Sequence, residues 1–199
     1  MLVSHLLIVL VRALVGASSR YIGAPPCKRQ AIYFSNHSSH IDTIALWSAL
    51  PPEQRANTRP VAAADYWGKG TLRRYVALRG LNAVLIERTR DHTGTDPLQP
   101  LLSALAEGSS LIIFPEGTRR TERLPGPFKS GIYRLSQAFP EVALIPVYLE
   151  NLHRSMPKGS LIPVPMICTV RFGSPLVHIA GEAKDAFLAR AHQKVIDLS

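Results

Sequence analysis

The sequence contains little cysteine and is not polar enough for a disordered chain. Its two cysteines, Cys27 and Cys168, lie far apart, and this spacing is typical of neither a disulfide framework nor a zinc ribbon. Hydrophobic residues make up 46% and charged residues 19% of the 199 positions, so disorder is excluded as well. The length is sufficient for one domain with a substantial core, and we expect one domain.

Acidic residues are also scarce: 14 aspartates and glutamates stand against 23 lysines and arginines, which gives a formal net charge of +9. Such an excess indicates an anionic partner, and charge alone does not distinguish nucleic acid, acidic lipid headgroups and phosphorylated substrates. The arginines lack the interleaved aromatic residues of a platform for single-stranded nucleic acid. We therefore predict no nucleic-acid partner.

The first segment, "MLVSHLLIVLVRALVGASSR", lacks the positive start of a signal peptide and the uninterrupted apolar run of a spanning helix, because Arg12 falls in its middle. On a helix its polar residues form a narrow wedge beside a very wide apolar face. We expect residues 1–20 to form a helix in the membrane interface, followed by a domain over residues 21–199. A helix packed on the domain core would show the same pattern.

Strand and helix patterns alternate through the middle of the chain. Apolar runs of strand length include "AIYFSN", "NAVLIER", "SSLIIFPEG" and "VALIPVYL", and helical patterns separate them. This alternation predicts an α/β fold, with a mixed, mostly parallel sheet flanked by helices.

Several boundaries can be predicted from local signals. We expect one strand over "RPVAAADYW", a helix from the Asp96-Pro97 start to Gly108, a helix over residues 128–139, and a β-rich stretch over residues 157–175.

Three strand ends carry polar loops: "NHSSHID", "ERTR" and "PEGTRR". If the strands are parallel, these loops lie at one edge of the sheet, where α/β proteins bind ligands. We expect the chemistry there.

The first of these loops allows three interpretations. His37, His40 and Asp42 are metal-ligand types, but their spacing differs from His-x-His-x-Asp-His, and no second cluster supports them. Ser39 and Asp42 resemble a capping box. A third possibility is a base, His37, oriented by Asp42.

A nucleophile supplied by the protein is not indicated, because the sequence contains no Gly-x-Ser-x-Gly motif and neither cysteine has an obvious neighbouring base. A base would then act on a hydroxyl or amine of the substrate. Arg88, Arg119 and Arg120 in the other loops are suited to a phosphate.

Together these residues resemble the PlsC-like glycerolipid acyltransferase family, best known for 1-acylglycerol-3-phosphate acyltransferases. The four family blocks appear in family order as "NHSSHID", "NAVLIER", "FPEGTRR" and "LIPVYL". The second block differs from the family pattern, with Asn82 where glycine is common and Glu87 where aspartate is common.

This resemblance implies that His37 is the general base, that Asp42 orients it, and that Arg88 holds the acceptor phosphate. It assigns the remaining substrate-binding residues to the third block, at Glu116, Gly117, Thr118 and Arg119. The implied reaction moves a fatty acyl group from acyl-CoA or acyl-carrier protein to the hydroxyl of a lysophospholipid acceptor, 1-acylglycerol 3-phosphate, and gives phosphatidic acid. It requires no metal, no cofactor and no acyl-enzyme.

The resemblance also implies a peripheral or monotopic protein on the cytoplasmic face of a membrane. An acyltransferase acting on glycerol 3-phosphate, another lysophospholipid or an amino lipid is the alternative within enzymes. Outside enzymes, the alternative is a non-catalytic basic lipid-binding or nucleic-acid-binding domain.

Overall fold

Apolar runs of the sequence form the strands of a single sheet. The computed structural model describes residues 18–26, 28–67, 70–87, 96–155, 164 and 166–199. The strands are β1 (Ser18–Tyr21), β2 (Ala31–Ser35), β3 (Thr58–Ala63), β4 (Val84–Ile86), β5 (Ser110–Ile113), β6 (Ala143–Glu150) and β7 (Thr169–Phe172). The helices are α1 (Asp42–Ala49), α2 (Pro52–Ala56), α3 (Ala64–Trp67), α4 (Thr71–Tyr75) with the π-helix Val76–Gly80, α5 (Gln99–Ala106), α6 (Gly131–Ala138), α7 (Leu152–Ser155) and α8 (Lys184–Ile196).

The seven strands have the order β1-β7-β6-β2-β5-β3-β4. Neighbouring strands are parallel except β6 and β7, which pair antiparallel. The predicted single α/β domain with a mostly parallel sheet is therefore confirmed. Because β2, β4 and β5 are parallel to one another, the three polar loops start from the same edge of the sheet.

Both faces of the sheet are covered, which is why its central strands β2, β5 and β6 are mostly apolar and are buried at every position but Glu150. In β2, Ala31 and Tyr33 pack into the core cluster on the α1 side, while Ile32 and Phe34 pack into the cluster that contains residues of α5, α6 and α8. Successive side chains of a strand point to opposite faces of the sheet, so β2 is buried on both faces. It forms a rigid base for the loop that follows it.

Several predicted boundaries are wrong, each for a local reason. The strand predicted over "RPVAAADYW" ends at Ala63, its last residue paired with β4, and the chain turns there into α3. The helix predicted over residues 128–139 begins only at Gly131, because the backbone N–H of Lys129 donates to the oxygen of Pro115 at 2.9 Å. The expected β-rich stretch contains one strand, β7, in its described part.

The predicted N-terminal helix lies outside the described residues up to position 17, as do Cys27 and Arg88. Residues 18–20, assigned to that helix, belong instead to β1, which pairs with β7. Within the described ranges, no helix is long and apolar enough to cross a membrane.

Asn82, which replaces a common glycine of the family pattern, has a left-handed backbone conformation with φ of +50°. Glycine adopts this conformation without a steric penalty, and asparagine is one of the few other residues that tolerate it. Its backbone oxygen accepts a hydrogen bond from Nε of Arg59 at 3.1 Å. The substitution is therefore accommodated by the backbone.

Asn82→Gly should keep or slightly raise the free energy of unfolding, whereas Asn82→Ala should lower it by about 1 kcal/mol, because alanine pays the full left-handed penalty. Equilibrium denaturation measures both. Asn57→Ala is the matched control, since Asn57 is also exposed but has φ of −101°. Equal losses at positions 57 and 82 would contradict the backbone explanation.

Removing residues 1–17 leaves β1 intact, and it separates the two interpretations of the N-terminal segment. If the segment binds the membrane interface, the shortened protein should lose vesicle binding in co-sedimentation and keep its melting temperature. If it packs on the core, the melting temperature should fall and vesicle binding should be unchanged.

Candidate active site

His37 lies two residues after the end of β2, at the edge of the sheet where the parallel strands end. Its Nδ1 is 2.9 Å from Oδ2 of Asp42, whose side chain is fully buried, while 17% of the His37 side chain is exposed. A carboxylate only accepts hydrogen bonds, so a neutral imidazole here carries its hydrogen on Nδ1 and a lone pair on Nε2. This is the arrangement required of a general base.

The Asp42 carboxylate also organises the backbone of its own loop. Its Oδ2 accepts hydrogen bonds from the backbone N–H groups of Ser38 at 2.6 Å and Ser39 at 2.8 Å. The capping box is thus present only in part: the acid reaches back to Ser39, but Ile41 is the N-cap and no side chain caps the helix. One carboxylate serves both the loop and the imidazole.

Two further contacts hold the loop of His37. The buried amide of Asn36 accepts from the backbone N–H of Leu149 at 2.8 Å and donates to its oxygen at 3.2 Å, which fastens the end of β2 to β6. The ring of Phe114, just after β5, stacks on the imidazole with centroids 4.2 Å apart. The His37 loop is therefore held by the neighbouring strands on both sides of β2, by β6 through Asn36 and by the end of β5 through Phe114.

Glu116 is buried beside His37, and both of its carboxylate oxygens accept backbone hydrogen bonds. Oε1 accepts from the N–H of His37 at 2.7 Å and Oε2 from the N–H of Gly126 at 2.8 Å. Burial raises the pKa of this carboxyl, and the two N–H donors oppose that rise. Glu116 thus joins the first and third sequence blocks, which also meet where the Arg120 N–H donates to the His37 oxygen at 2.9 Å.

A cavity of about 320 Å³ lies against His37. Of the residues predicted from sequence, His37, Gly117 and Arg119 line it, whereas Asp42 and Glu116 are buried behind it. Thr118 is exposed and outside the lining. The structure therefore brings the first and third loops to one cavity; Arg88 lies outside the described residues, although the preceding residue, Glu87, lines the cavity.

Tyr66 and Trp67 of α3 line the same cavity and were missed by the sequence reasoning. The Tyr66 ring has the guanidinium groups of Arg73 at 4.7 Å and Arg119 at 5.9 Å from its centroid. The only sequence signal was the run of aromatic residues, which we assigned to a strand. These contacts position Arg119 at the cavity wall.

His40 also lines the cavity, but its electrostatic surroundings disfavour a charged imidazole. Partial burial lowers its pKa, and the positive charge of Arg119 lowers it further. The imidazole of His40 lies 6.1 Å from the Tyr66 ring, centroid to centroid. Among the histidines that the structure describes, His37 is the one with a carboxylate within ion-pair distance.

Cys168 is fully buried, and burial raises the pKa of its thiol to about 11. The thiolate, which is the nucleophilic form, is scarce at neutral pH, so Cys168 is unsuited to forming an acyl-enzyme. Among the described residues, no group of three histidine, cysteine or acidic side chains could hold a metal ion.

Comparisons with known proteins identify the family of the chain. The family model described as Acyltransferase matches residues 18–150. A 1-acyl-sn-glycerol-3-phosphate acyltransferase of Limnanthes douglasii is 27% identical over 176 residues, which are 88% of this chain and 60% of that protein. A protein of the same name from Cocos nucifera is 30% identical over 150 residues, 74% of this chain and 46% of that protein.

The solved structure of the 1-acyl-sn-glycerophosphate acyltransferase PlsC from Thermotoga maritima is similar to this fold. Its TM-score is 0.72 at 18% sequence identity, and the match covers 96% of this chain and 78% of that one. The chain thus spans 60% of the length of the Limnanthes relative and most of the bacterial structure. Because the family model covers well over half of its residues, the chain belongs to the acyltransferase family.

Proposed function

We propose that the protein is a 1-acylglycerol-3-phosphate acyltransferase, which transfers a fatty acyl group from a thioester to the free hydroxyl of its acceptor and gives phosphatidic acid. The observation that carries this proposal is the 2.9 Å contact between His37 and the buried Asp42 at the wall of a cavity. The family match and the names of the plant relatives support the acceptor class.

In the proposed reaction, Nε2 of His37 takes the proton of the acceptor hydroxyl as its oxygen attacks the thioester carbonyl carbon. Asp42 keeps the hydrogen on Nδ1 and stabilises the imidazolium that forms. The tetrahedral intermediate then collapses: its carbon–sulfur bond breaks, and the thiolate leaves with the proton returned by His37. The hydroxyl of the acceptor is the nucleophile, so no acyl-enzyme forms.

The acceptor is proposed to be held by its phosphate at the cationic side of the cavity. Arg119 lines the cavity, and Arg88 follows a residue that lines it. A guanidinium can bind a phosphate with two parallel hydrogen bonds. Acyl-CoA and acyl-carrier protein are the two candidate donors, and no separate cofactor is proposed.

The direct test is an acyl-transfer assay that offers lysophosphatidate and glycerol 3-phosphate in separate reactions, each with acyl-CoA and with acyl-carrier protein. The proposal requires phosphatidate from lysophosphatidate with at least one donor. Turnover of glycerol 3-phosphate alone would assign the protein to the alternative acceptor.

His37→Ala should lower kcat by about 10²–10⁴-fold, the usual contribution of general base catalysis. Asp42→Asn should be strongly impaired too, because an amide can stabilise the wrong imidazole tautomer. The measurements are steady-state kinetics together with a thermal melt, which detects any unfolding of the loop that Asp42 holds. The matched control is His178→Ala, at an exposed histidine outside the cavity lining, and it should turn over like wild type. If His37→Ala also turns over like wild type, His37 is not the base.

Arg88→Ala should raise KM for lysophosphatidate at least tenfold, because each charge-assisted hydrogen bond contributes about 1.5–3 kcal/mol. Arg88→Lys should recover only part of the loss, since lysine keeps the charge without the fork. The acyl-donor KM is followed in parallel. If only the donor KM moves, Arg88 does not hold the acceptor phosphate.

A further inference from the structure

Lys129 is a cation of the cavity that none of the four sequence blocks contains. It lines the same cavity as His37 and follows the third block. Its side chain lies directly over Gly117: a Cβ atom placed on that glycine would be 2.7 Å from Nζ and 2.9 Å from Cε of Lys129. The lysine therefore occupies the space that a side chain at position 117 would need.

Backbone hydrogen bonds hold both Gly117 and Lys129, the two residues at which the lysine side chain crosses the glycine. Gly117 has φ of +71°, and its N–H donates to the oxygen of Phe114 at 2.9 Å. The Lys129 N–H donates to the oxygen of Pro115, also at 2.9 Å. Phe114, the residue before Pro115, stacks on His37. The backbone of Lys129 is therefore hydrogen-bonded to the same loop that contacts the imidazole.

Among the described residues, Lys129 is one of two cationic side chains, with Arg119, that line the cavity. In the part of the chain that the structure describes, neither Lys129 nor Arg119 forms an ion pair with a carboxylate. Asp65 and Glu87 also line the cavity, and Glu116 is occupied by two backbone N–H groups. Two cations from one loop thus reach the cavity, where a lysine acts as a point charge toward phosphate.

We propose that Lys129 is a further binding residue of the phosphate site at Arg119, and that Gly117 must be glycine so that Lys129 can cross it. The ligand class is a phosphate monoester on a three-carbon alcohol. Its assignment to the acyl acceptor rests on the proposed function. Since the clash at Gly117 would be with the far end of a flexible side chain, a larger residue there moves the ammonium group and does not break the core.

Binding of glycerol 3-phosphate, measured by isothermal titration calorimetry, tests the site without turnover. Lys129→Ala should weaken this binding about tenfold, the loss expected for one charge-assisted contact, and Lys129→Arg should restore part of it. Lys194→Ala is the matched control, because Lys194 is an exposed lysine of α8 outside the cavity lining. Unchanged affinity in Lys129→Ala would overturn the proposal.

A matched pair of glycines tests the crossing. Gly117→Ala and Gly108→Ala both place alanine at a positive φ, +71° and +84°, but a Cβ at Gly108 meets no atom within 4 Å. The two variants should lose similar stability in denaturation, and only Gly117→Ala should weaken glycerol 3-phosphate binding. In a Lys129→Ala background, Gly117→Ala should weaken it no further, since the displaced group is gone. Additive losses would overturn the crossing.

Kinetics then assign the phosphate to acceptor or donor. In Lys129→Ala, KM for lysophosphatidate should rise about tenfold, well beyond any change in KM for the acyl thioester. A rise confined to the donor KM would overturn the assignment to the acceptor. A wild-type protein that binds glycerol 3-phosphate through Lys129 but does not acylate lysophosphatidate would instead contradict the proposed function and leave the binding site supported.

Discussion

One buried carboxylate holds the site together. Oδ2 of Asp42 accepts from the imidazole of His37 and from two consecutive backbone N–H groups, so the ring orientation and the loop conformation depend on the same atom. Charge-assisted hydrogen bonds of this kind are stronger than neutral ones, and burial removes the competition from water. A change in the conformation of the loop would therefore also break the contact between Asp42 and the imidazole of His37.

Glu116 is a second buried carboxylate that accepts backbone hydrogen bonds, here from two segments far apart in the sequence. Glu116 joins the His37 loop to the third block, because each of its two carboxylate oxygens accepts one backbone N–H, from His37 and from Gly126. Asp42 and Glu116, the two buried acids beside His37, therefore accept hydrogen bonds from backbone N–H groups. Arg119 and Lys129 line the cavity itself.

The sequence predicted this site in part because its first and third blocks are local. Spacing alone placed Asp42 within reach of His37, and the alternation of strands predicted that their loops share an edge. Lys129 and Tyr66 could not be found this way, since only the tertiary fold brings them to the cavity. The end of β3 at Ala63 was missed for the same reason: the apolar run continues, but strand pairing does not. The roles of the site residues stay predictions.

β7 runs antiparallel to β6, and this direction determines the sheet edge at which β1 begins. Because β1 runs parallel to β7, Ser18 lies at the sheet edge that carries His37, next to Thr169 and, across β7, to the end of β6. Three strand spacings of about 4.8 Å separate β1 from β2, or about 14 Å. Had β7 been parallel to β6, Ser18 would lie at the opposite edge of the sheet. Ser18, the first described residue after the apolar segment, and His37 thus lie at one edge of the sheet, on strands three spacings apart.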